Sequence, residues 1–218
     1  MIRHVIYCHG FGSSPSSKKA SLFRDPLVAR GVSYHVPDLN RPSFTQLTLT
    51  AQLEAIAQTI RALPEGDVAL IGSSMGGLAA LHFVDSYVPG PAERVTHLVL
   101  LAPALDFYDA RDKQMGAGWQ DAWYDLGYWN FFNYATGKEE PVHYDLMFDL
   151  EQYDSYAVKL RVPTLIYHGL YDESVDYHQS VRFAEQQDHV TLRLLHSDHQ
   201  LLDKTDEIAA GIIIFLGL

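Results

Sequence analysis

Ser74 stands in Gly72-Ser73-Ser74-Met75-Gly76, a G-x-S-x-G pattern whose meaning depends on what flanks it. Before it, Val68-Ala69-Leu70-Ile71 is a short apolar run of β-formers. After it, Gly77-Leu78-Ala79-Ala80-Leu81-His82-Phe83-Val84 is apolar at helical spacing. Strand, tight turn and helix form the setting in which such a serine is a nucleophile. The flanking glycines let the backbone reverse where a Cβ would clash. The turn lifts the Ser74 hydroxyl to a helix N-terminus, where developing negative charge is favoured.

A serine hydroxyl needs a base within hydrogen-bond reach and a third group to orient that base. Two later segments offer them. The apolar run 164–167 leads into His168-Gly169-Leu170-Tyr171-Asp172-Glu173-Ser174-Val175, which puts Asp172 just past the carboxyl end of a strand. The run 191–195 leads into His196-Ser197-Asp198-His199, which does the same for His199. Glu173 and Asp176 are the rival acids, further from the strand end. His196 is the rival base, its direction fixed by the pleat of the strand it ends. The pair His196-x-x-His199 lacks a third residue at metal-site spacing, so no metal is expected. Ser74, Asp172 and His199 thus arrive at the same edge of a sheet, where open α/β sheets bind ligands.

Acyl transfer also needs donors for an oxyanion, commonly two backbone N–H groups. Met75 N–H, at the helix start, is one candidate. His9-Gly10-Phe11-Gly12, after the first strand, supplies Phe11 N–H as the second, with His9 bracing the loop.

The elements that must hold these residues read as alternating strands and helices. Strands are expected at 4–8, 33–36, 68–71, 95–101, 164–167 and 191–195. Helices are expected at 17–29, 47–63, after Ser74, at 177–187 and at 203–216. This alternation implies an α/β fold, a mostly parallel central sheet with helices on both faces. The chain reads as a single domain, 1–218, with an insertion at about 106–160 that breaks the rhythm. It holds all three tryptophans, Trp119, Trp123 and Trp129, among many Phe and Tyr. Its placement after the strand ending near Pro103 makes it a lid, with the tryptophans lining an acyl pocket above Ser74. The alternative is that its rings only close the core.

The whole chain has 218 residues, a net charge of −11 and one cysteine. The acidic balance argues against nucleic acid and anionic membrane surfaces as partners. Cys8 cannot form an internal disulfide and, within the first strand, reads as a small buried hydrophobe. No apolar run approaches the ~18 residues of a membrane span, and the N-terminus enters a strand pattern with no signal peptide. The expected location is cytoplasmic.

Taken together, these segments resemble an α/β-hydrolase and, within that group, the small bacterial esterases of the YqiA type. The segments that carry the resemblance are His9-Gly10-Phe11 with Ser13-Ser14-Pro15 and Lys19-Ala20-Ser21-Leu22, then Gly72-Ser73-Ser74-Met75-Gly76-Gly77. Later come Asp172-Glu173 with Asp176-Tyr177, and Phe215-Leu216-Gly217-Leu218. The chain departs from related hydrolases in having Ser197-Asp198, with no glycine, before His199. The resemblance implies that Ser74, Asp172 and His199 form a triad acting on a small-molecule carboxylic ester without cofactor. Acyl thioesterase and carbon–carbon bond hydrolase remain alternatives with the same triad. A binding module that keeps the fold without the chemistry is the alternative of another class.

Overall fold

A computed structural model describes residues 1–109, 115–116 and 118–218; the expected insertion at 106–160 therefore lies partly outside the described residues. Six parallel strands form the main sheet: β1 (Ile2–Cys8), β2 (Ser33–His35), β3 (Asp67–Ser73), β4 (Val95–Leu101), β7 (Thr164–Gly169) and β8 (Val190–Leu195), in the order β2-β1-β3-β4-β7-β8. The inner strands are nearly continuous buried runs, as a sheet covered on both faces requires. The edges are blunted: β2 is three residues long and β8 is half exposed.

The pleat sorts the core into two layers. Ile6, Cys8, Val68, Leu70, Leu98, Leu100 and Ile166 face one side, against α2 (Leu49–Ala62) and α3 (Met75–Ser86). Val5, Tyr7, Ala69, Ile71, Val99, Leu101, Leu165 and Tyr167 face the other, against α1 (Lys18–Val28) and the final helix, α7 (Thr205–Leu216). Serine and threonine caps set two helix starts: Ser17 Oγ accepts from Ala20 N–H at 3.3 Å, and Thr48 Oγ1 from Ala51 N–H at 3.1 Å. Cys8 is fully buried, and burial pushes its thiol up to about 12, so it packs as an apolar group.

The segment between β4 and β7 has its own elements: α4 (Trp119–Leu126), an antiparallel hairpin of β5 (Tyr128–Asn133) and β6 (Lys138–His143), and α5 (Asp145–Leu150). Two backbone bonds tie the hairpin to the body. Tyr134 N–H donates to Gly12 O at 2.7 Å, and His143 N–H to Thr45 O at 2.9 Å. α6 (His178–Glu185) lies between β7 and β8. Among the described residues no helix is long and apolar enough to cross a membrane.

α3 carries a buried imidazole. His82 Nε2 lies 3.2 Å from Ser155 Oγ and its ring packs edge-on against Tyr153. Burial lowers its pKa from 6.5 to about 4, with Asp154 acting weakly the other way. The unfolded chain therefore binds this proton more readily than the folded one. Stability should be full above about pH 6.5 and fall as pH drops toward 4. Between pH 7 and pH 5 the expected loss from His82 is about 2 kcal/mol. Buried His9, also shifted down, adds to it. Urea unfolding at the two pH values should show the loss, and His82→Gln should remove much of it. An equal loss in that variant would contradict the assignment.

Candidate active site

β3 ends at Ser73, α3 begins at Met75, and Ser74 turns the corner with φ 54° and ψ −121°. A non-glycine residue at positive φ costs about 1–3 kcal/mol and persists where surrounding structure enforces it. Here Ser74 N–H donates to Leu101 O at 2.9 Å, and Ser74 O accepts from Gly77 N–H at 2.9 Å. The glycines at either side have no room to be anything else. A Cβ at Gly72 would strike the carbonyl of Gly76, and one at Gly76 the carbonyls of Cys8 and His9.

His199 and Asp172 come to this corner from the ends of β8 and β7. His199 Nε2 is 3.2 Å from Ser74 Oγ, and its Nδ1 is 2.7 Å from Asp172 Oδ2. The Asp172 side chain is wholly buried. Its Oδ1 accepts from the N–H groups of Ser174 and Val175 at 2.9 and 2.8 Å. Burial alone would raise its pKa, but the hydrogen bonds from His168 and His199 outweigh this and hold the carboxyl well below the usual carboxylate range. An ionised carboxylate only accepts, so Nδ1 carries the ring proton and Nε2 is left to accept from the Ser74 hydroxyl. The rivals lie elsewhere. Asp176 pairs with His178 at 2.7 Å, Glu173 is exposed, and His196 Nδ1 is bonded to the Tyr171 hydroxyl at 2.8 Å. The close approach of the histidine loop is accommodated by Gly169, whose missing Cβ would meet the carbonyls of Ser197 and Asp198.

The first loop also reaches Ser74. A Cβ on Gly10 would lie 3.2 Å from Ser74 Cβ, so the 9–12 backbone runs directly beside the serine. His9 is buried; its Nε2 accepts from Leu39 N–H at 3.0 Å, which makes Nδ1 the donor to Gly10 O at 3.1 Å. Phe11 and Met75 both line the cavity in front of Ser74, and Met75 N–H is the first of α3.

Sequence reasoning missed His168. It is fully buried, its Nε2 lies 3.1 Å from Asp172 Oδ2 and from Val175 O, and its Nδ1 lies 2.7 Å from Ser180 Oγ. Both Nε2 partners only accept, so His168 is the second imidazole donating to Asp172. Its place at the end of β7 was legible; its partner across the turn was not.

The cavity over Ser74 holds about 630 Å³. Its lining includes the rings of Phe11, Phe107, Phe131, Phe132 and Tyr134 and, from the loop before α1 and its first turn, several serines with Lys18 and Lys19. The tryptophans, expected to line it, are not among its lining residues. Trp119 and Trp123 are buried in the core beneath the hairpin, and Trp123 Nε1–H donates to Val142 O at 2.9 Å. Trp129 packs against the same core. An indole N–H in the interior needs an acceptor, and the hairpin backbone supplies one away from the cavity. Smaller rings on β5 and just after it face the cavity instead. Phe132 is half exposed, so Phe132→Ala should leave the melting temperature nearly unchanged and, under the acyl-transfer expectation, shift the ranking of acyl groups by about tenfold. A ranking identical to the parent's would exclude Phe132 from acyl selection.

Among the described residues no three His, Cys, Asp or Glu side chains are grouped to hold a metal ion. The parallel sheet, the serine at the strained corner and the histidine loop after the last strand belong to the α/β-hydrolase fold. Structural comparison agrees. A protein from Agrobacterium vitis S4 superposes with a TM-score of 0.83 at 25% identity, over 97% of this chain and 87% of that one. Est1E from Butyrivibrio proteoclasticus, solved with ferulic acid bound, superposes with a TM-score of 0.82 at 18% identity, over 98% and 88%. The chain belongs to the Uncharacterised protein family UPF0227, whose model matches residues 4–216. It is also 26% identical over 165 residues to the human mitochondrial palmitoyl-protein thioesterase ABHD10, covering 73% of this chain and 53% of that protein. The chain thus spans about half the length of this curated relative.

Proposed function

We propose that this protein is a serine hydrolase of carboxylic esters. The observation that carries the reading is the chain Ser74 Oγ, His199, Asp172, with links of 3.2 and 2.7 Å at a strained strand-to-helix corner over a cavity. His199 Nε2 takes the hydroxyl proton as Ser74 Oγ attacks the acyl carbon. The N–H groups of Phe11 and Met75 hold the resulting oxyanion. As the tetrahedral intermediate collapses, the bond to the alcohol breaks and His199 returns the proton to the leaving oxygen. Water, deprotonated by His199, then attacks the acyl-enzyme, and the carboxylic acid departs with Ser74 restored. In this reading the insertion is a lid whose phenylalanines exclude water and receive the apolar half of the substrate.

A thioester substrate is the second reading, favoured by the thioesterase among the relatives. The same steps apply with a thiolate leaving. A panel of 4-nitrophenyl esters and acyl-CoA thioesters separates the two: a higher kcat/KM for esters supports the first reading, and one for thioesters the second. Absence of turnover for every member, with no labelling by a fluorophosphonate, would leave only a binding role.

A further inference from the structure

The loop before α1 and its first turn give the cavity a polar side, which carries two lysines, the exposed Lys18 and Lys19. Lys19 lies in the first turn of α1 and is half-buried. Its Nζ donates to Ser73 Oγ at 3.0 Å, on the residue next to Ser74. Ser73 is itself buried and shares its hydroxyl with Tyr7. An ammonium has three donors, and this is the one hydrogen bond Lys19 makes among the described residues. It enters no ion pair there either. Serines of the loop before α1, including Ser13, Ser14 and Ser17, line the same cavity.

An ammonium is costly to desolvate without an anion within ion-pair distance, and among the described residues none lies that close to Lys19. Burial lowers Lys19 to about 8, against the opposing pull of Asp172 and Asp198. Those two carboxylates flank His199 in contact and in sequence, and α1 packs against α7, the helix that follows the histidine loop. Lys19 therefore lies on the side of the cavity near His199.

We infer that the cavity takes esters or thioesters whose leaving alcohol or thiol bears an anionic group, carboxylate or phosphate, with Lys19 Nζ as its cationic partner and the neighbouring serine hydroxyls as further donors. The inference rests on the serine-hydrolase reading. Asp172 is held ionised, and burial raises the Tyr7 phenol so that it stays neutral.

The test compares 4-butyryloxybenzoate with its methyl ester, and 4-butyryloxyphenylphosphonate as the phosphate-like arm. The parent protein should prefer an anionic ester by about ten- to a hundredfold in kcat/KM near neutral pH. Lys19→Met should lower that ratio at least tenfold, and raising the pH to about 9.5 should lower it in the parent, as the ammonium loses its proton. The larger of the two ratios identifies carboxylate or phosphate. Inhibition by 4-hydroxybenzoate against methyl 4-hydroxybenzoate needs no variant, and the anion should bind more tightly. Equal kcat/KM values for charged and neutral esters, with equal inhibition constants, would overturn the inference while leaving the hydrolase reading intact. No turnover of any ester and no labelled Ser74 would instead sink the hydrolase reading, and this inference with it.

Discussion

Ser74→Ala should lower ester turnover by about 10⁴- to 10⁶-fold, with the folded structure retained. The proposed covalent step leaves no substitute at this position. The alanine variant loses the atom that bonds the acyl carbon, and its neighbour Ser73 points its hydroxyl toward Lys19 and Tyr7. On the proposed mechanism, what survives is the contribution of the oxyanion donors and the cavity, which can still favour attack by water. Stability should change by less than about 1 kcal/mol. Among the described residues the hydroxyl's one side-chain hydrogen bond is to His199, and the strain at φ 54° is set by Gly72, Gly76 and the Leu101 carbonyl, all unchanged. Initial rates on 4-nitrophenyl butyrate with a thermal melt of both proteins check the prediction. A variant retaining a tenth of parental turnover would remove Ser74 from the chemistry.

His199→Ala should be nearly as damaging, because the proposed mechanism has Ser74 and His199 act as one unit. Asp172→Asn tests the argument about the ring proton. The amide oxygen can still accept from Ser174 and Val175, and His168 Nε2–H keeps the Val175 carbonyl as its acceptor, so the loop should hold its shape. The amide NH₂ then faces His199 Nδ1, which must turn acceptor, and the ring proton moves to Nε2, facing Ser74 Oγ. That tautomer cannot take the hydroxyl proton, and the expected loss in kcat is about 10³- to 10⁴-fold. His196→Ala is the control: its ring is bonded to Tyr171 at the surface, so turnover should stay within about threefold of the parent. Abolished activity in His196→Ala with activity kept in His199→Ala would reverse the choice of base.

The main sheet was legible because parallel strands covered on both faces must be apolar throughout. The runs at 68–71 and 164–167 announced themselves for that reason, although β3 extends to Asp67–Ser73 and β7 to Thr164–Gly169. Their polar or glycine ends are held by pairing, as Ser73 is opposite Leu101, and carry no hydropathy signal. Ser74, Asp172 and His199 could be brought together on paper because each follows a strand, and parallel strands all end at one edge. The hairpin was not legible. Its second strand is Lys138–His143, charged and containing Pro141, which argues against a strand unless its partner is known. Without the hairpin the tryptophans had no neighbours, and the carbonyl of Val142 that receives the Trp123 indole could not be foreseen. His168 and Lys19 share that limitation. Each gains its meaning from one atom brought close by folding: Asp172 Oδ2 for the first, Ser73 Oγ for the second.

The most direct measurement is to treat the protein with a fluorophosphonate, follow ester turnover as it reacts, and locate the adduct by intact and peptide mass spectrometry. On the proposed mechanism, a hydroxyl activated by His199 and attacking an electrophile held at the oxyanion donors should take up a single phosphonyl group on Ser74. Turnover should fall in proportion to labelling, and Ser74→Ala and His199→Ala should both resist it. An adduct on Ser73 or another serine, or full ester turnover in protein labelled at Ser74, would contradict the account.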